Sequence, residues 1–117
     1  MPTKRTSSIP EEILELYTRL VASNPMVKMQ GVTVPHTSHN GYVFSYLEKN
    51  GSMGLRLPEK EREAFLKKYK TSIFLSYDKM KKGFVAVPER LLRNANELKL
   101  YFDISFKYVN TLKPKTK

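Results

Sequence analysis

The chain has 117 residues, 40% of them hydrophobic, and a net charge of +10, a length that fits one domain with one core. It holds no cysteine, which excludes a disulfide framework, a thiolate nucleophile and a thiolate metal site. The opening MPTKRTSSIPEE has no apolar signal region, and no apolar run approaches membrane-spanning length. A soluble cytoplasmic protein without a membrane partner is therefore expected. Lys4, Arg5, Lys113, Lys115 and Lys117 carry five of the ten excess charges. Residues 1–7 and 113–117 thus read as basic flexible tails flanking a domain over 8–112, either solubilising ends or nucleic-acid contacts.

Ser8-Ile9-Pro10-Glu11 is a capping box with Pro10 in the first turn. Ile13, Leu16, Tyr17, Leu20 and Val21 follow at helical spacing and predict an amphipathic helix that ends at Asn24-Pro25. Residues 26–34 read as a short strand interrupted at Gly31. Pro35 to Asn40 is polar and reads as a loop holding His36 and His39. On an extended segment, three-residue spacing sends the two rings to opposite faces. No carboxylate stands nearby in sequence to complete a metal set, so solvated loop histidines and no metal are expected.

Tyr42 to Leu47 is aromatic and β-branched, as a half-buried strand should be. Asn50-Gly51 signals a hairpin, and Met53, Leu55 and Leu57 alternate beyond it with Gly54 and Arg56. Two registers are open. If Asn50-Gly51 alone form the turn, Tyr46 faces Leu55, Phe44 faces Leu57, the aromatic face is core, and Ser45 lies on the wetter face opposite Arg56. If Lys49-Asn50-Gly51 form the loop, Val43, Leu47, Met53, Leu55 and Leu57 share the core, and Tyr42, Phe44 and Tyr46 emerge on the other face, because a one-residue slip inverts the strand. Hairpin statistics favour the first.

Pro58 ends the ladder and suits a helix start, with Glu59, Glu61 and Glu63 near the positive end of the helix dipole. Phe65, Leu66 and Tyr69 give this helix its apolar face, and Lys67, Lys68 and Lys70 sit at its negative end. Residues 71–77 read as a buried strand, 78–82 as a basic connector, and 83–87 as another strand stopped by Pro88. Leu91 and Leu92 make one apolar turn, and Asn94-x-x-Glu97 is a second capping signal. Leu98, Tyr101, Phe102, Ser105, Tyr108, Val109 and Leu112 form the broad apolar face of a last helix, which Pro114 ends. The order αβββαββα predicts an α+β domain with a mostly antiparallel sheet and packed helices. Tyr17, Leu20, Phe44, Leu55, Leu57, Phe65, Val85, Tyr101 and Val109 are its expected core.

The element order, the string NGSMGLRL with the helix after it, and the closing FVAVPERLL…LKLYFDISFKYV segment resemble the TfoX N-terminal-domain family over residues 10–112. The resemblance implies a secretion-chaperone-like α+β sandwich and a non-catalytic binding or regulatory role. Full-length members resemble competence regulators with a second helical domain; this chain instead ends after Pro114 and lysines. Thr37-Ser38-His39-Asn40-Gly41 stands where the family has a glycine-rich stretch. Val87-Pro88 and Ser105-x-x-Tyr108-Val109 also look like the YjbR-type family.

No catalytic set stands out. Ser38 lies beside His36 and His39, but a triad needs an orienting group and an oxyanion hole, and Asp78 and Asp103 sit in charged surroundings. There is no phosphate-binding or dinucleotide glycine motif, so no cofactor and no enzyme activity are expected. Gly41-Tyr42-Val43-Phe44-Ser45-Tyr46 overlaps part of an RNA-binding signature. It makes Tyr42, Phe44 and Tyr46, with the basic tail residues, candidate contacts for weak nucleic-acid binding. A protein partner or self-association is the leading expectation.

Overall fold

The computed structural model describes residues 9–31, 35–48, 51–76 and 79–113, with the backbone alone over 75–76 and 79–82. The elements are α1 (Glu11–Ala22), β1 (His36–His39), β2 (Tyr42–Leu47), β3 (Met53–Arg56), α2 (Glu59–Tyr69), β4 (Ile73–Ser76), β5 (Lys79–Val87), α3 (Glu89–Leu92) and α4 (Ala95–Thr111). The strands form one antiparallel sheet in the order β1-β2-β3-β5-β4. The domain is α+β, as the element order predicts, with the turn at Leu91-Leu92 becoming α3.

One face of the sheet carries the helices. Met53 pairs with Val87 and Leu55 with Val85, so these four side chains share a face. They join one buried cluster with Tyr17 and Leu20 from α1, Phe65 from α2, Leu91 from α3 and Phe102 and Val109 from α4. Burying each such side chain contributes about 1.5–3 kcal/mol. Of the expected core, Tyr101 alone is half-buried; it packs against the cluster and edge-on to Phe65. The Asn94 side chain accepts the Glu97 amide and so caps α4 as its spacing predicts. Pro10 occupies the N-cap position of α1, and Ser8 lies outside the described residues.

Three sequence expectations need correction. Among the described residues the first strand does not lie in 26–31, which hold an isolated bridge, Gln30 to His36; residues 32–34 of the expected strand lie outside the described residues. The strand is His36–His39, expected to be loop. It forms because Asn40 and Gly41 both take positive φ, 57° and 83°, and close a two-residue hairpin that pairs His39 with Tyr42. The basic connector is also partly strand, since β5 begins at Lys79, opposite Ser76.

The third correction is the register. Ser45 pairs with Leu55, Tyr46 with Gly54 and Leu47 with Met53, and the Glu48 amide bonds the Ser52 carbonyl. Three residues therefore separate the paired ends, and the two-residue register is not the one formed. Lys49 and Asn50 lie outside the described residues; Gly51 has φ 88°. Ser45, expected on the wetter face, is fully buried. Phe44 does not emerge with Tyr46, because β1 pairs Thr37 with Ser45 but Ser38 with Val43. Phe44 is the extra residue of a bulge, which re-aims its side chain. Its ring lies 5.5 Å from Phe102 and 6.0 Å from Phe106, against α4, while Val43 is left 37% exposed.

Candidate functional site

The sheet's outer surface, away from the helix layer, is built from residues whose pairing alternates with the core. Tyr46 lies beside Gly54, Gly54 beside Ala86, and Arg56 beside Phe84. The small residues Gly54 and Ala86 leave a shallow floor. Phe74 from β4 lies across it, 3.1 Å from where a Gly54 Cβ would stand. Tyr46 meets Phe74 and Phe84 edge-on, with ring centroids 5.1 and 5.4 Å away. Phe74 and Phe84 are buried but stand outside the main core cluster. They form a second, smaller aromatic layer.

Arg56 ends this layer. The β2–β3 ladder has its last pair at Ser45 and Leu55, and Arg56 Nε donates to the Val43 carbonyl across 3.0 Å beyond it. The guanidinium lies 4.7 Å from the Phe84 ring centroid and 5.9 Å from that of Tyr42, within cation–π range. Burial lowers its affinity for its proton, partly offset by the nearby phenols of Tyr108 and Tyr42; an arginine stays charged all the same. No carboxylate among the described residues pairs with it. Tyr42 is half-buried, and its hydroxyl donates to the Lys113 carbonyl across 2.9 Å.

The sequence candidates separate on this geometry. Tyr42 meets Arg56, and Tyr46 stands further along the outer layer. Phe44 is fully buried on the helix side and presents no surface to a base. Lys113 is exposed just beyond α4, and its carbonyl is the one that the Tyr42 hydroxyl meets. Lys4, Arg5, Lys115 and Lys117 lie outside the described residues. Arg56 and Phe84 were missed by sequence reading. The available signal was their place on alternating strands, which the register had to be known to interpret.

Several polar groups away from this corner are engaged in structure. Tyr17, Ser45 and Thr37 form a fully buried hydroxyl chain, with 2.7 Å between Tyr17 Oη and Ser45 Oγ and 2.6 Å between Ser45 Oγ and Thr37 Oγ1. Burial raises the Tyr17 phenol well above its ordinary pKa. Ser38 Oγ donates to Gln30 Oε1 at 2.7 Å. His39 Nε2 shares a 2.8 Å hydrogen bond with Asn110 Oδ1, and its ring is 4.7 Å from Phe106. Both histidines are half-buried strand residues rather than solvated loop residues. Asp103 is held by Lys99 at 2.7 Å and by Asn24 at 3.1 Å; Asp78 lies outside the described residues. Among the described residues no group of three His, Asp or Glu side chains is placed to hold a metal. None of their helices is long and apolar enough to cross a membrane.

No family model, curated protein or solved structure matches the chain.

Proposed function

We propose that the protein is a non-catalytic binding or regulatory module, of the kind its resemblance to the TfoX N-terminal domain implies, and that it binds through the outer corner of its sheet. The observation that supports this is the setting of Arg56: a half-buried cation held against two aromatic rings, without a carboxylate partner among the described residues. Exposed Val43 and half-buried Tyr42 border it. Aromatic residues and arginine are the side chains most enriched where binding energy concentrates. A photo-crosslinking residue at position 43 should capture one defined partner, or a second copy of this chain, from a native extract. Capture should fall at least about tenfold when Tyr42→Ala or Arg56→Gln is added, since central contacts of this kind contribute about 2 kcal/mol or more. Capture at background level, or undiminished in both variants, would sink the proposal.

A second reading, weak nucleic-acid binding, is favoured by one observation. The register that forms places Tyr46 away from the helix core and sets Arg56 beside aromatic rings, the pairing used by single-strand binders. Its test is single-strand binding at two salt concentrations by full-length protein, by protein lacking 1–7 and 113–117, and by Tyr42→Ala. Tail-driven binding disappears with the tails and falls steeply with salt. A stacking surface survives tail removal and is lost in Tyr42→Ala.

A further inference from the structure

We infer that the Arg56 guanidinium, on its open side next to Gly83, is an anion site that takes a phosphate group, as inorganic phosphate or a small phosphate monoester. Three observations carry the inference. First, Arg56 Nε is already committed to the Val43 carbonyl at 3.0 Å, and the rings of Phe84 and Tyr42 flank the guanidinium. The head group is thus pre-positioned, and among the described residues its two terminal nitrogens are left as a fork. Second, Gly83 lies beside that fork without a side chain. Apart from its own chain neighbours, the one heavy atom of the described residues within 4 Å of where its Cβ would stand is Arg56 Nη1, at 3.9 Å. With φ at 94°, the position disfavours any residue that would fill the space. Third, this charge is partly withdrawn from water without a counter-charge among the described residues, an arrangement that gains from an incoming anion more than an exposed arginine would.

The fork geometry fits the paired oxygens of a carboxylate or a phosphate. The chain's net charge of +10 favours the more highly charged of the two. The Tyr42 ring borders the site, so a monoester bearing an aromatic ring would find a ring surface beside its phosphate.

The inference deepens the binding-module reading and rests on it, yet the two fail separately. Partner capture at position 43 can succeed with no phosphate effect, and phosphate can bind with no partner captured. The test is an amide NMR titration of the full chain with inorganic phosphate and with a nucleoside 5′-monophosphate, against sodium chloride at matched ionic strength. Saturable shifts are expected at Val43, Arg56, Gly83 and Phe84 with both phosphates and not with chloride. Tighter binding of the monophosphate would identify the monoester as the better-fitting source. Affinity should fall at least about tenfold in Arg56→Gln and several-fold in Arg56→Lys, which keeps the charge but loses the fork. Absence of those shifts in the wild type, equal shifts with chloride, or unchanged affinity in Arg56→Gln would each overturn the assignment. If Arg56→Gln does not give a folded spectrum, the wild-type titration and Arg56→Lys decide. Binding of a single-stranded oligonucleotide without corner shifts would also count against it and return the surface to the tail-driven reading.

Discussion

The two faces of the sheet solve the same packing problem with different means. The inner face is covered by four helices and filled by aliphatic and aromatic side chains in one continuous cluster. The outer face buries Phe74 and Phe84 by laying rings over the small residues Gly54 and Ala86, with Tyr46 edge-on. The inner face is held by the number of its contacts and tolerates polar insertions where they bond one another, as Tyr17, Ser45 and Thr37 do. The outer face depends on a few close approaches and ends in a charge. Stability is thus concentrated inside, and the half-buried charge of Arg56 stands outside.

The largest effect should come from the inner face. Leu55→Ala is expected to destabilise by about 2–5 kcal/mol in denaturant unfolding, because Leu55 is fully buried between Ser45 and Val85. A loss under about 1 kcal/mol would show that the helix layer does not rest on this residue.

Next comes the floor of the outer layer. Gly54→Ala places a Cβ 3.1 Å from the Phe74 ring and should cost about 1–3 kcal/mol. Adding Phe74→Leu should make the pair less costly than the separate losses combined. Simple additivity would mean the ring does not rest on this glycine.

A smaller change tests the polar chain inside. Tyr17→Phe should cost about 0.5–1.5 kcal/mol near neutral pH. The sign with pH follows from the raised phenol. Folding holds the proton more tightly than the unfolded chain does, so this stabilisation is intact below the ordinary tyrosine pKa of about 10. It declines above that value by up to about 1.4 kcal/mol per pH unit. Tyr69, also raised by burial and by its hydrogen bond to Glu97, adds a loss of the same sign. Wild type should therefore weaken faster than Tyr17→Phe between about pH 10 and 11, and equal slopes in urea unfolding would contradict the buried chain.

The smallest effect belongs to Arg56→Gln. It removes one hydrogen bond and two cation–π contacts but also a half-buried charge, and should change stability by less than about 1 kcal/mol. A loss beyond about 3 kcal/mol would make Arg56 a structural strut and weaken the case that it is held ready for a ligand.

Several features were legible in the sequence because they are local. The 3.6-residue spacing of Ile13, Tyr17, Leu20 and Val21, the Asn94–Glu97 cap, the proline before α2 and the β-rich Tyr42–Leu47 run each act within one element. Together with the element order they were enough for an α+β domain with a mostly antiparallel sheet. What only the tertiary structure decided is which way β2 faces. A one-residue shift costs little within the strand, so local propensity does not choose between registers. The choice falls to long-range fits: the Tyr17 hydroxyl reaching Ser45, Phe74 needing the space at Gly54, and α4 receiving Phe44 through a bulge. β1 was hidden for the same reason. HTSH is a weak strand by composition, and it becomes one because Asn40-Gly41 folds it back onto β2, while the Asn40 side chain donates to the Val109 carbonyl at the end of α4.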